Sequence, residues 1–335
     1  CTDLAYRRAT EMAIDSLRKL IEKHMFEYTY ADEKSADKES SFKYYPDIRD
    51  PNFNATLSNK NEFINTSLPL VLKTNNISKD FKLSNAQRFA KNFISENTPY
   101  NGILLWHEVG VGKTCAGISI AENFRSKMNA NNKKIIILTP SETLQQNWTD
   151  EIFNVEKELN KKTSGNTHNV QCTGTTYSDK FSNITPQNHI SVKRKVKRYI
   201  SQFYTICSYN QLASSIIKKS NATSWRSANK QKNLIEYVKK EFSNRLIIMD
   251  EIHITRQADG STTEKKSVEY LELIARYAEN TKIVLLTATP MYNISSEIIW
   301  LLNILLLNDK RAPLLESDIF TKDGIEFKKN DEEEE

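Results

Sequence analysis

Short, unbroken apolar runs punctuate the chain from residue 84 onward. Ile103-Leu104-Leu105-Trp106, Leu246-Ile247-Ile248-Met249 and Ile283-Val284-Leu285-Leu286 are too short for buried helices. They also lack the polar alternation of a strand with one wet face, so each reads as a strand covered on both sides. Phe203 and Tyr204 lead into a further strand. Around these runs apolar residues recur at helical spacing, as at Ala86, Phe89, Ala90, Phe93 and Ile94, or along Cys115–Ala121. Alternating strands and helices predict an α/β domain whose parallel sheet is flanked by helices. Before residue 81 the pattern changes. Residues 3–28 suit an amphipathic helix, 31–40 a charged linker, and the two prolines of 44–51 enforce irregular backbone. The expected organisation is an extension of helix plus irregular arm over 1–80, the α/β domain over 81–307, and a linker with an acidic tail over 308–335.

The residues that follow the strands carry the candidate chemistry. After the first strand comes His107-Glu108-Val109-Gly110-Val111-Gly112-Lys113-Thr114, leading into the helix that opens at Cys115. Strand, glycine loop, Lys-Thr and helix form the layout of a phosphate-binding loop. Gly110 and Gly112 let the backbone turn tightly and approach a phosphate, and the helix N-terminus adds a favourable dipole. Such a loop implies ATP with Mg²⁺, Lys113 bridging the β- and γ-phosphates and Thr114 a metal ligand. His107 stands where the full pattern has glycine, and Gly-Lys-Thr alone also occurs by chance. The second strand runs into Asp250-Glu251-Ile252-His253. An acidic pair at the C-terminal end of a buried strand is where an open α/β sheet presents functional groups. Asp250 would hold Mg²⁺, through water, and Glu251 would polarise the attacking water. The plainer alternative is a helix cap at Asp250 with a solvated Glu251. The third strand ends in Thr287-Ala288-Thr289-Pro290, which by itself could be an ordinary Thr-Pro turn.

Taken in order, these segments resemble the motifs of superfamily 2 helicases and Snf2-like DNA translocases. Gly110–Thr114 resembles motif I, Ile137-Leu138-Thr139-Pro140 motif Ia, Asp250–His253 a DExH motif II, and Thr287–Pro290 motif III. Thr205–Tyr209 and Glu297–Leu305 resemble further elements of the Snf2-like branch. Asn97–Asn101, Val170–Gly174 and Glu316–Phe320 resemble ATPases of large DNA viruses, such as the poxvirus-type nucleoside triphosphatase I and early transcription factor ATPases. The resemblance covers about residues 80 to 325. It implies a RecA-like domain, the first of two, whose partner in cis or trans would supply an arginine finger. It implies an ATP hydrolase, weakly active without that partner, tracking nucleic acid (DNA ahead of RNA), with viral transcription machinery as a possible partner. The location implied is host cytoplasm, virus factory or virion. His253, Thr287 and Thr289 would couple nucleotide state to the nucleic-acid face. Gln87, in Leu83–Phe89, would read adenine, although Ser84-x-x-Gln87 is also a capping box. A restriction-endonuclease motor subunit and a non-motor P-loop switch or small-molecule kinase remain alternatives.

Net charge is only +5 over 335 residues, so charge distribution matters more than its sum. No Asp or Glu occurs between Lys180 and Ile235, where Lys193, Arg194, Lys195, Lys197 and Arg198 cluster among Tyr199, Phe203, Tyr204, Tyr209 and Trp225. Basic groups gain from counterion release and aromatic rings can stack on bases, so a nucleic-acid contact is expected. A solvated lysine-rich insertion with core aromatics is the alternative. Cys1, Cys115, Cys172 and Cys207 show no CxxC spacing, and an intracellular, reducing compartment with free thiols is expected. The apolar run 298–307, interrupted by Asn303, is too short to span a bilayer, and no membrane partner is expected.

Overall fold

Five strands, all parallel, form one sheet in the order β1-β5-β4-β2-β3. The computed structural model describes residues 44–66 and 81–320, apart from 109, 166–167, 169–170, 221–227, 258–261 and 292–293. The helix expected over 3–28, the linker over 31–40 and the acidic tail lie outside the described residues. In chain order the elements begin with α1 (Phe53–Ser58), α2 (Asn61–Ile64), α3 (Asn85–Phe93), β1 (Gly102–Trp106), α4 (Lys113–Ala130) and β2 (Ile135–Thr139). There follow α5 (Glu142–Ile152), α6 (Val155–Thr163), α7 (Thr176–Lys180), α8 (His189–Phe203), β3 (Tyr204–Ser208), α9 (Tyr209–Ser220) and α10 (Ala228–Phe242). The last are β4 (Leu246–Asp250), α11 (Ile254–Gln257), α12 (Thr262–Tyr277), β5 (Lys282–Thr287), α13 (Glu297–Asn308) and α14 (Glu316–Ile319).

Strand alternation divides the core into two layers. Ile135, Ile137, Leu246, Ile248, Val284 and Leu286 face α3, α4, α5 and α8, where they meet Ala116, Ile120, Phe124, Trp148, Ile152 and Val196. Ile136, Leu138, Ile247, Met249, Ile283 and Leu285 face α9, α10, α12 and α13, against Leu212, Ile216, Val238, Leu271, Trp300 and Ile304. β2, β4 and β5 are therefore apolar along their interiors, which is why no polar alternation shows there, whereas the edge strand β3 carries an exposed Thr205. Helix starts carry their own signals: Ser141 Oγ accepts from the Leu144 N–H, and Asn154 Oδ1 from the Lys157 N–H.

Residues 44–52 form turns and irregular backbone, as the prolines require. They and α1–α2 pack on α3 through aromatic rings. Phe93 stacks on Tyr100 at 4.3 Å, Phe63 meets Phe89 at 5.2 Å, and the Tyr100 hydroxyl donates to the Pro46 carbonyl at 3.0 Å. Aromatic packing is thus continuous across the boundary expected at residue 81.

The cysteines depart from expectation. Cys115, at the start of α4, forms a disulfide with Cys172, 57 residues away in sequence, and only Cys207 is a free thiol among the described residues. The loop before α7 docks beside the first turn of α4, with the Thr173 hydroxyl on the Ile152 carbonyl. Sequence distance hid this proximity, and the expectation of free thiols is corrected for these two residues. Among the described residues no helix is long and apolar enough to cross a membrane.

Candidate active site

β5 is the last strand in sequence but lies between β1 and β4 in the sheet. Its C-terminal end therefore separates the glycine loop, after β1, from the acidic pair, after β4. Three strand ends meet at one edge of the sheet, the place where such folds bind ligands.

The glycine loop arrives shaped for an anion. Gly110 and Gly112 have φ of +86° and +87°, and Gly112 caps α4 in the left-handed conformation. A Cβ at Gly110 would meet nothing within 4 Å, so the loop's outer face is open, and Val111 at its tip is exposed. Gln87 holds the inner face. Its Nε2 donates to the Gly112 carbonyl at 3.0 Å, while its Oε1 accepts from the Ser84 N–H and its own N–H donates to Ser84 Oγ. The side chain closes the capping box and braces the loop together, with both ends of its amide engaged inside the protein. His107 donates its backbone N–H to the Thr287 carbonyl at 3.2 Å. Its buried Nδ1 has no partner among the described residues, and burial, helped by Lys113, lowers its pKa. Glu108 is exposed, Thr114 and Lys113 are half-buried, Cys115 is in the disulfide, and Val109 lies outside the described residues.

Lys113 Nζ meets Glu251 Oε1 at 3.0 Å, joining the loop after β1 to the end of β4. Glu251 adopts φ +46°, a left-handed conformation that side chains other than glycine rarely take. This turn sends its carboxylate towards the lysine, and its Oε2 accepts from the Ala288 N–H at 3.4 Å. Asp250 is buried. Its Oδ2 accepts from Trp148 Nε1–H at 2.7 Å, and its backbone carbonyl accepts from the Tyr209 hydroxyl at 2.9 Å. Burial raises its pKa to about 6, opposed by the Trp148 hydrogen bond and Lys113 and reinforced by Glu251. His253 joins the acidic segment to the end of β5. Its Nδ1 lies 2.7 Å from Thr287 Oγ1 and 3.4 Å from Glu251 Oε2, and its Nε2 lies 3.2 Å from Thr289 Oγ1. Burial outweighs the neighbouring carboxylates and lowers its pKa, which favours the neutral ring.

The structure thus brings Lys113, Asp250, Glu251, His253, Thr287 and Thr289 to one edge and places Gln87 behind the loop. It does not bring the basic cluster there. Val192, Val196 and Ile200 are buried along one face of α8, leaving Lys193, Arg194, Lys195, Lys197 and Arg198 exposed on the others. α8 runs directly into the start of β3, and Lys134, just before β2, bonds the Ser201 carbonyl at 2.7 Å. The C-terminal half of the cluster therefore lies near the sheet edge opposite the glycine loop. Lys193 pairs with Glu156 at 3.3 Å. Of the interleaved aromatics, Tyr204 and Tyr209 are buried and Tyr199 and Phe203 pack on the core, as in the alternative reading; Trp225 lies outside the described residues. Sequence reading missed Trp148, and it set Tyr209 among the aromatics interleaved with the basic cluster without placing it on Asp250. Leu144, Trp148 and Ile152 fall at helical spacing, which signals core and nothing more.

Glycine loop, lysine and acidic pair brought together along the C-terminal ends of β1, β5 and β4 define a P-loop nucleotide-binding domain. Residues 52–331 match the SNF2-related domain, and the chain belongs to that family. An Acanthamoeba polyphaga mimivirus protein named as an ATP-dependent RNA helicase is 28% identical over 306 residues, covering 83% of this chain and 24% of its own length. A protein of Invertebrate iridescent virus 3 named as a helicase is 28% identical over 284 residues, covering 82% of this chain and 25% of its own. The early transcription factor large subunit homolog of African swine fever virus is 48% identical over 46 residues, 14% of this chain and 4% of its own length. The chain spans about a quarter of the length of the first two. The superfamily 2 resemblance read from the motifs is thereby confirmed.

Proposed function

We propose that this chain is the ATP-hydrolysing half of a nucleic-acid helicase or translocase. The observation that carries the reading is the Lys113–Glu251 ion pair at 3.0 Å. It sets a phosphate-binding lysine against a carboxylate suited to polarise water, and the triphosphate would enter between them. The residues fit ATP and Mg²⁺. The open face beside Gly110 leaves room for phosphates, and the Thr114 hydroxyl and Asp250 carboxylate are hard oxygen donors of the kind Mg²⁺ takes. The metal would supply charge neutralisation for the phosphates. Lys113 would release Glu251 on binding phosphate, leaving that carboxylate to orient water and accept its proton. His253 touches both Glu251 and the Thr287–Thr289 hydroxyls, so a change at the carboxylate reaches the end of β5. Gln87 supports the nucleotide site through the loop backbone. The exposed α8 cluster is proposed to contact nucleic-acid phosphates, away from the nucleotide. The viral relatives support a place in viral transcription, in host cytoplasm, virus factory or virion, with a second RecA-like domain completing the site.

ATP turnover by the full-length gene product, with and without single- and double-stranded DNA and RNA, tests the reading. One nucleic acid should stimulate it. Glu251→Gln should lower turnover by about a hundredfold or more while leaving ATP binding in place. Indifference to every nucleic acid would move the function to a non-motor nucleotide switch. The relatives named for RNA and the expected preference for DNA are separated by the same assay.

A further inference from the structure

Asp250 is held from both faces of the sheet. On one face lies Trp148 of α5, only 1% exposed, with its Nε1–H on Asp250 Oδ2. On the other lies Tyr209 of α9, with its hydroxyl on the Asp250 carbonyl. Tyr209 is itself tied down, its carbonyl accepting from Ser267 Oγ at 3.3 Å. The indole is fixed in turn by α4. A Cβ added at Gly117 would stand 2.7 Å from Trp148 Cη2, so only glycine lets the ring lie this close to the helix. A buried indole N–H needs an acceptor, and a backbone carbonyl would have sufficed. Here it takes one oxygen of the carboxylate, which fixes the carboxylate's rotation; the Glu251 backbone N–H also bonds the group, and its remaining lone pairs would be open to a metal. The donor is neutral. A lysine or arginine in this position would cancel the charge that attracts a cation, whereas an indole orients the group and leaves its charge in place.

We propose that Trp148 is a positioning residue for the nucleotide's Mg²⁺, acting through Asp250. This rests on the ATP-binding reading above. Partners that orient a metal-binding side chain change metal affinity by about ten- to a hundredfold when removed, and they do so without touching the phosphate-binding loop. Loss of the indole N–H should therefore weaken the response to Mg²⁺ and spare metal-free nucleotide binding. A purely structural Trp148 would damage both or neither.

The test is anisotropy of a fluorescent N-methylanthraniloyl-ATP, first in EDTA and then across a Mg²⁺ titration. The proteins are the parent, Trp148→Phe, and a version carrying 3-benzothienylalanine at position 148, which keeps the shape of the indole and lacks the N–H. Asp250→Asn serves as reference and should abolish the Mg²⁺ response. Both position-148 variants should need about tenfold more Mg²⁺ for half the response, with affinity in EDTA within about twofold of the parent. A Mg²⁺ midpoint within about twofold of the parent in the benzothienylalanine protein overturns the proposal, and that protein decides if Trp148→Phe fails to fold by circular dichroism. A parent that binds the probe but ignores Mg²⁺, or does not bind it, overturns the nucleotide reading, and the role of Trp148 falls with it.

Discussion

Asp250 illustrates how a single side chain trades stability for chemistry. Its folded-state pKa, about 6, stands above the ordinary value of 3.8, chiefly through burial. The folded chain holds this proton more tightly than the unfolded one. The stability so gained is full below pH 3.8 and is lost as the pH rises through 6. Asp250→Asn removes the ionisation and keeps an oxygen for Trp148. Without nucleotide, the variant should be more stable than the parent by on the order of 2–3 kcal/mol at pH 8 and by less than about 1 kcal/mol at pH 4. Urea midpoints across that range measure it, and a pH-independent gain would show that the carboxylate's desolvation is not the cause. Glu251 is the complementary case. Its strain is conformational, at φ +46°, and residues in such regions cost of order 1–3 kcal/mol. Together the pair places two kinds of local unfavourable energy at the point where the nucleotide is proposed to bind.

At the scale of elements, the glycine loop and α8 make separable predictions. Gly110 and Gly112 share nearly the same positive φ, yet a Cβ at Gly112 would lie 2.6 Å from Gln87 Nε2, whereas one at Gly110 would meet nothing. Gly110→Ala should cost about 1 kcal/mol of backbone strain. Gly112→Ala should cost more, since it also breaks the brace from Gln87. Its ATP affinity should fall more steeply than that of Gly110→Ala, and calorimetric binding and thermal melts distinguish the two. For α8, reversing charge at Lys195, Lys197 and Arg198 should weaken nucleic-acid binding and flatten its salt dependence. ATP affinity should not change, because the cluster is remote from the glycine loop. These elements also show what the sequence could reveal. β1, β4 and β5 were legible because an all-apolar run has few other uses, and the glycine loop because its spacing has a mechanism. Their adjacency was not legible. Nothing local in Thr287-Ala288-Thr289 says that β5 inserts between β1 and β4, which is what brings both threonines to His253. Nor could Trp148 be told from any other aromatic on a helix face, since its partner is 102 residues away.

The described residues form a three-layered α/β/α domain whose loops after β1, β4 and β5 converge, and one covalent link ties that convergence to its flank. Cys115 follows the proposed metal ligand Thr114 directly, and its bond to Cys172 closes a loop of 57 residues that includes α4, β2, α5 and α6. In the chain-entropy account, closing a loop of that length restricts the unfolded chain by about 4 kcal/mol, and measured values commonly fall between about 2 and 4. Reduction should therefore lower the urea midpoint by an amount in that range, and Cys115→Ser with Cys172→Ser should melt like the reduced parent under either condition. Thiol titration of the denatured chain supplies the control, since the oxidised parent should show two fewer reactive thiols than the reduced one. If the parent's midpoint does not respond to reductant although the thiol count changes, the packing of Thr173 on Ile152 and of Gln171 on Asn154 holds this flank by itself. If it does respond, the stability of the first turn of α4, where the phosphate loop ends, depends on the redox state of its surroundings.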